Sequence, residues 1–243
     1  MSVIRKLEKN NKMQFYLTEE YACSYIDGQN ARSQVASPSH LINFDTYNEL
    51  IENGFRRSGI FSYKPHCDKC KSCIPIRIPV NYFSPNKTQR RISRKLNKSL
   101  IAKKEKLSFN EDHFLLYKNY QTVRHPTSGM CNDNRNQYIQ FLLTSNVETE
   151  IIAFSDENNS LKMICIFDVL KNGISSVYTF FSTDDPSSSF GTYGILWQIE
   201  ECKKRNLEYL YLGYWISDSK KMSYKVKFSP YQVFENNKWK LCK

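Results

Sequence analysis

The chain has 243 residues, 40% of them hydrophobic and 14% aromatic, enough to build one large domain or two modest ones and too apolar to be disordered throughout. Its net charge of +11 favours a polyanionic partner, and no apolar run approaches the roughly 18 residues that a membrane helix needs. The polar start, MSVIRKLEKNNKMQF, lacks the apolar centre of a secretory signal, so a cytoplasmic chain is expected, in which the eight cysteines are thiols or metal ligands rather than disulfides.

The stretch up to residue 107 is basic and rich in turns. Asp45 reads as the N-cap of a short helix with Tyr47, Leu50 and Ile51 on one face, and Gly54 is placed to end it. Pro65, Pro75, Pro79 and Pro85 then leave room only for short strands. Residues 87–106 hold nine basic side chains against the single acid Glu105, and with Leu96, Leu100 and Ile101 they read as an amphipathic helix. Such a stripe either meets nucleic-acid phosphates or is a solvated helix face.

From Ser108 the rhythm is clearer. Helices are predicted over residues 112–123, with Phe114, Leu115, Tyr117 and Tyr120 available for burial, and over residues 135–144. Strands follow at 151–154, 163–170 and 174–181, the last two separated by Asn172-Gly173, a tight-hairpin signal. A loop over 182–190 leads through Gly191-Thr192-Tyr193-Gly194 into a helix with Ile195, Leu196, Ile199 and Cys202 at helical spacing, then a strand over 207–212. The order predicts an α+β chain divided into residues 1–107, with the cysteines and basic helix, and residues 108–243.

Four features carry chemistry. Cys67, Cys70 and Cys73 form C-x2-C-x2-C, and Cys23, or else His66, is the nearest fourth ligand for tetrahedral zinc or an iron–sulfur cluster; the alternative is reduced cysteines packed in a turn-rich region. At Gly191 and Thr192 a helix start offers unpaired N–H groups and a dipole to an anion, and strand, Gly-rich turn, helix, strand resembles the core of the Gcn5-related acyltransferases. Tyr214 and Trp215, just past a glycine at a strand end, either pack in the core or stack on a terminal adenine. Lys220, Lys221 and Lys225 downstream suit phosphates, a carboxylate or solvent.

Longer motifs then resemble one family. Tyr16-Leu17-Thr18, Cys23-Ser24-Tyr25, Gly54-Phe55-Arg56-Arg57-Ser58-Gly59 and Tyr63-Lys64-Pro65 look like the N-terminal domain of the arginyl-tRNA–protein transferases. Ser176-Val177-Tyr178-Thr179-Phe180, Phe190-Gly191-Thr192-Tyr193, Tyr211-Leu212-Gly213-Tyr214-Trp215-Ile216 and Met222-Ser223-Tyr224-Lys225 look like its C-terminal domain. This family includes the bacterial aspartate/glutamate leucyltransferases of the N-end rule pathway, and the short chain resembles that branch. The resemblance implies a Gcn5-related acyltransferase-like C-terminal domain behind a small cysteine-bearing N-terminal domain. It also implies transfer of leucine from leucyl-tRNA to the N-terminal amine of proteins beginning with Asp or Glu, marking them for degradation. Eukaryotic relatives bind an iron–sulfur cluster through a paired Cys-Cys; here a single Cys23 stands with separated Cys67, Cys70 and Cys73.

Aminolysis of an activated ester requires no cofactor. Tyr178 or Tyr193, or backbone N–H groups near Gly191, are candidates to stabilise the oxyanion. Arg56, Arg57, Arg77 and Lys225 are candidates to bind the acceptor's carboxylate. Three rival readings are an arginyl donor with the same acceptors, an acyl-CoA N-acetyltransferase, and a non-catalytic zinc-containing RNA-binding module.

Overall fold

The computed structural model describes residues 12–126, 129–219 and 221–242. The first eleven residues and Lys220, both read above, lie outside them. The chain opens with β1 (Gln14–Leu17), β2 (Tyr21–Ala22), β3 (Asn30–Ala31), β4 (Ser33–Ser37) and α1 (Phe44–Glu52), followed by β5 (Arg56–Ser58) and β6 (Phe61–Pro65). Strands β1, β4, β6 and β5 form a four-stranded antiparallel sheet. Asn43, not Asp45, caps α1, because its side chain accepts from the Thr46 N–H while Asp45 sits in the first turn. Gly54 ends the helix as predicted, at φ +81°.

The second layer is an eight-stranded sheet in the order β14-β13-β7-β12-β11-β10-β9-β8. It comprises β7 (Ile74–Pro79), β8 (Ile101–Glu105), β9 (Thr149–Ser155), β10 (Leu161–Val169), β11 (Gly173–Phe181), β12 (Tyr209–Trp215), β13 (Tyr231–Glu235) and β14 (Lys238–Cys242). Because β7 and β8 precede residue 107, this sheet draws on both sides of the division drawn from the sequence. Strand β7 is central despite Pro75 and Pro79, which stand near its ends opposite Tyr214 and Tyr209. The predicted hairpin joins β10 to β11, yet Gly173 is not there for a left-handed turn. A Cβ on it would meet the Tyr209 carbonyl oxygen at 2.4 Å, so glycine lets β12 approach β11.

Helices cover both faces of this sheet. Alternation along β10 sends Met163, Cys165 and Phe167 to one side and Ile164 and Ile166 to the other. On the first side lies α5 (Phe190–Lys204), which buries Leu196, Ile199 and Cys202, with α2 (Lys87–Ser99) outside it. On the second lie α3 (Glu111–Arg124) and α4 (Arg135–Tyr138), the latter running into a π-helical turn over Ile139–Leu143. The basic run is therefore not one helix: it breaks at Leu100, and the exposed Ile101 starts an edge strand. Leu115, expected in the core, is 56% exposed, while Phe114 and Tyr117 are buried. A third cluster, with Tyr47, Leu50, Ile51 and Phe55 against Leu170 and Tyr211, packs α1 onto the large sheet.

Candidate active site

Strands β11 and β12 are the parallel neighbours of the large sheet, and they stay paired only over Gly173–Tyr209, Ile174–Leu210 and Ser175–Tyr211. Beyond that, β11 remains with β10 out to Phe181, whereas β12 remains with β7 out to Trp215. The register on β7 shifts between Tyr211 and Tyr214, around Gly213 at φ +73°. The two strands part, and β11 is left with carbonyls that have no ladder partner.

Arg56 fills the fork. Its Nη2 donates to the carbonyls of Ser176 at 2.7 Å and Val177 at 3.1 Å. Gly213 is what admits it, since a Cβ there would lie 1.9 Å from Arg56 Nη1. The residues acting electrostatically with Arg56 are Tyr25, Tyr63, Tyr214, Tyr224 and Lys225. Tyr25 and Tyr224 are each 43% exposed, yet burial pushes both hydroxyls up to about 12. Their rings are accessible while their hydroxyls are desolvated beside Arg56. Tyr178, on the other side of the fork, accepts a hydrogen bond from Gln121 Nε2 at 2.7 Å and packs edge-on against Phe141. Burial pushes its hydroxyl well above the ordinary phenol range, so it is held as a donor.

Other residues singled out from the sequence serve elsewhere. Arg57 is 5% exposed and grips Asp168 with Nε and Nη2, both at 2.8 Å, while Nη1 donates to the Gly59 carbonyl. Tyr47 and Thr149 also donate to Asp168, which completes a buried network. Arg77 lies between the Tyr209 ring at 3.6 Å and the Trp239 ring at 4.3 Å, and donates to Glu52, Tyr211 and Gln232. Neither guanidinium is available to a substrate carboxylate, which corrects the sequence expectation for both.

Tyr193 donates to Asn97 of α2 on the far side of α5, away from the fork. It fixes the basic helix and does not reach the cleft. Tyr214 is 3% exposed with its hydroxyl on the Gly54 and Tyr63 carbonyls, so it offers no face to a base. Half-buried Trp215 packs against the α5-side core. Gly191 and Thr192 do stand in the first turn of α5, where Ser189 provides no side-chain cap, and the Phe181 ring lies 3.3 Å from where a Gly191 Cβ would be.

Lys225 is buried, its ammonium donating to the Tyr214 carbonyl. Burial first, then Arg56, holds its pKa well below the ordinary lysine value. Sequence reasoning also missed Tyr63, Tyr120, Tyr224 and Gln121. Tyr63 and Tyr224 stood in the family motifs without a role, Tyr120 read as a core residue, and Gln121 carried no signal.

Cys23, Cys67 and Cys70 all act on Cys73, whose thiol is pushed up to about 12 by burial and then by Cys67, Cys23 and Cys70. Their soft donors suit zinc or an iron–sulfur cluster. Yet among the described residues no group of three or more His, Cys, Asp or Glu side chains is arranged to hold an ion. His66 is exposed and not among the groups acting on Cys73. The pKa of Cys70 is lowered by its hydrogen bond with Ser72.

Family comparisons agree with this architecture. The model described as "Arginine-tRNA-protein transferase, N terminus" matches residues 21–91, and that described as "Arginine-tRNA-protein transferase, C terminus" matches residues 112–235. The chain belongs to the arginine-tRNA-protein transferase family. Within it, the chain is 49% identical over 232 residues to the aspartate/glutamate leucyltransferase of Polynucleobacter asymbioticus, covering 93% of each. It is 50% identical over 229 residues to the protein of the same name from Nitrosospira multiformis, covering 94% of this chain and 90% of that one. Among solved structures, that of L-PGS from Bacillus licheniformis shares the fold with a TM-score of 0.51 at 12% identity, over 69% of this chain and 62% of that one. No helix among the described residues is long and apolar enough to cross a membrane.

Proposed function

We propose that the chain moves leucine from leucyl-tRNA onto the N-terminal amine of proteins beginning with Asp or Glu, marking them for degradation in the cytoplasm. The observation that carries this reading is the fork between β11 and β12, walled by tyrosines around Arg56, in a chain whose relatives are named aspartate/glutamate leucyltransferase. The same fork supports a Gcn5-related acyltransferase-like fold for the C-terminal part, behind the small N-terminal part whose loops carry Cys23, Cys67, Cys70 and Cys73.

In the reaction, the neutral acceptor amine attacks the ester carbon that links leucine to the terminal ribose. A C–N bond forms, the ester C–O bond breaks, and the amine's proton leaves with the ribose oxygen. Positioning both substrates in one cleft supplies several kcal/mol. The Tyr178 hydroxyl donates to the oxygen that gains charge in the tetrahedral intermediate. Arg56 holds the fork open by satisfying the β11 carbonyls. Phosphates of the tRNA run from the first turn of α5 at Gly191 and Thr192 towards α2, whose basic side chains lie on the same face of the sheet. The thiols around Cys73 would hold a zinc ion or a cluster, a structural or regulatory part from which no step of the transfer proceeds.

The test is to offer leucyl-tRNA, arginyl-tRNA or acetyl-CoA with peptides beginning Asp, Glu or Ala. Leucine should appear on the Asp and Glu peptides alone. Arginine transfer without leucine transfer would move the chain to the arginyl reading, and acetylation alone would make it an N-acetyltransferase.

A further inference from the structure

With Arg57 and Arg77 held inside the fold, the acidic acceptor needs another cation. We propose that Arg124, His125 and Lys221 form the subsite that receives the side-chain carboxylate of the acceptor's first residue. This rests on the leucyl-transfer reading and names the part of the cleft that selects Asp and Glu.

Arg124 and His125 stand side by side at the C-terminal end of α3, and the charges of Arg124 and of Lys221, which follows β12, both act on His125. Arg124 is the last residue of α3, and its guanidinium stands 6.0 Å from the centre of the Phe181 ring, at the last position of β11. Tyr120 ties the group together. Its ring packs against Phe181 at 4.9 Å and against His125 at 5.6 Å. Lys221 arrives from the segment after β12. The His125 imidazole is held below its ordinary value by burial, then by the positive charges of Lys221 and Arg124. No carboxylate acts on His125 or Tyr120, and no ion pair of Arg124, His125 or Lys221 occurs among the described residues.

Cations gathered without a counter-ion repel one another, and an anion placed between them removes that repulsion. The C-terminus of α3 favours positive charge, which lets the cluster persist while the subsite is empty. Gln121, next to Tyr120 on α3, donates to Tyr178, so the cluster borders the open fork. A carboxylate held there leaves the amine of the same residue facing Tyr178. The long side chains of Arg124 and Lys221 adjust to either Asp or Glu. A protein carboxylate is favoured because Gln121, one turn before Arg124 on α3, donates to Tyr178, which ties this end of the helix to the wall where the amine must react.

The experiment measures kcat/KM for peptides beginning Asp, Glu, Asn and Ala at saturating leucyl-tRNA, together with the Kd for leucyl-tRNA. It compares the full chain with Arg124→Gln, Lys221→Gln and the double variant, whose folding is checked by thermal melting. Losing two charge-assisted hydrogen bonds should cut kcat/KM for the Asp peptide by about 100-fold in the double variant. The Asp-to-Asn ratio should fall towards one, with the Kd for leucyl-tRNA unchanged. An unchanged ratio in a folded double variant overturns the subsite. So does a weakened Kd with an unchanged ratio, which would assign the cluster to tRNA. If the double variant does not fold, the two single variants decide by the same ratio. A wild-type chain that fails to transfer leucine at all sinks the leucyl-transfer reading instead.

Discussion

The two ends of the β11–β12 pair are built from the same residue types and put to opposite uses. At the closed end, Arg77 is sandwiched by Tyr209 and Trp239 and anchored on Glu52, while Arg57 is locked to Asp168 a few residues away on β10. At the open end, Arg56 donates to backbone carbonyls, Lys225 has the Tyr214 carbonyl, and Arg124 and Lys221 have no carboxylate partner among the described residues. A guanidinium paired with a buried carboxylate is a structural fastener. One set among tyrosine hydroxyls and carbonyls leaves room for an incoming anion. Neighbours Arg56 and Arg57 show the division most plainly, because alternation along β5 sends them to opposite sides.

The largest effect should come from breaking the fastener. Arg57→Ala strands the Asp168 charge in the core, and urea unfolding should show a loss of about 3–5 kcal/mol. A loss below 1 kcal/mol would mean that Arg57 is no fastener and would reopen it as a substrate contact. Next is Tyr178→Phe, which keeps the ring packing and removes the donor. Its kcat should fall by about 100-fold with the Kd for leucyl-tRNA unchanged, while the stranded Gln121 donor costs about 1–3 kcal/mol of stability. An unaffected kcat would take the chemistry away from this wall of the fork. The smallest effect is expected outside both ends. Replacing Arg91, Arg94 and Lys98 of α2 with Gln should weaken tRNA binding and lower the slope of log K against log salt by about 1 per phosphate contact removed. An unaltered slope would leave α2 as a solvated face.

Much of the frame was legible in the sequence because it is local. The Gly-rich start of α5, the β10–β11 hairpin and the apolar spacing of α3 are set by neighbours a few residues apart. The tight Asn236-Asn237 turn between β13 and β14, with both residues at positive φ, carried a signal of the same local kind and was overlooked. The candidate site was legible only in part because its parts meet over long separations. Arg57 and Asp168 are 111 residues apart, and Arg56 and Val177 are 121 apart. Adjacent arginines in a short strand look interchangeable until the partner of each is known. Strand β7 was obscured for a different reason: prolines argue against a central strand, and only the pairings at its ends show how they are tolerated.

The central claim is that leucine is transferred in the fork between β11 and β12. Its most direct test is a crystal structure with a leucyl-adenosine analogue whose ester is replaced by an amide. The account predicts the leucyl carbonyl between the parted strands, with the Tyr178 hydroxyl donating to it and Arg56 still on the carbonyls of Ser176 and Val177. An analogue bound outside the fork, with Tyr178 still engaged only by Gln121, would contradict it.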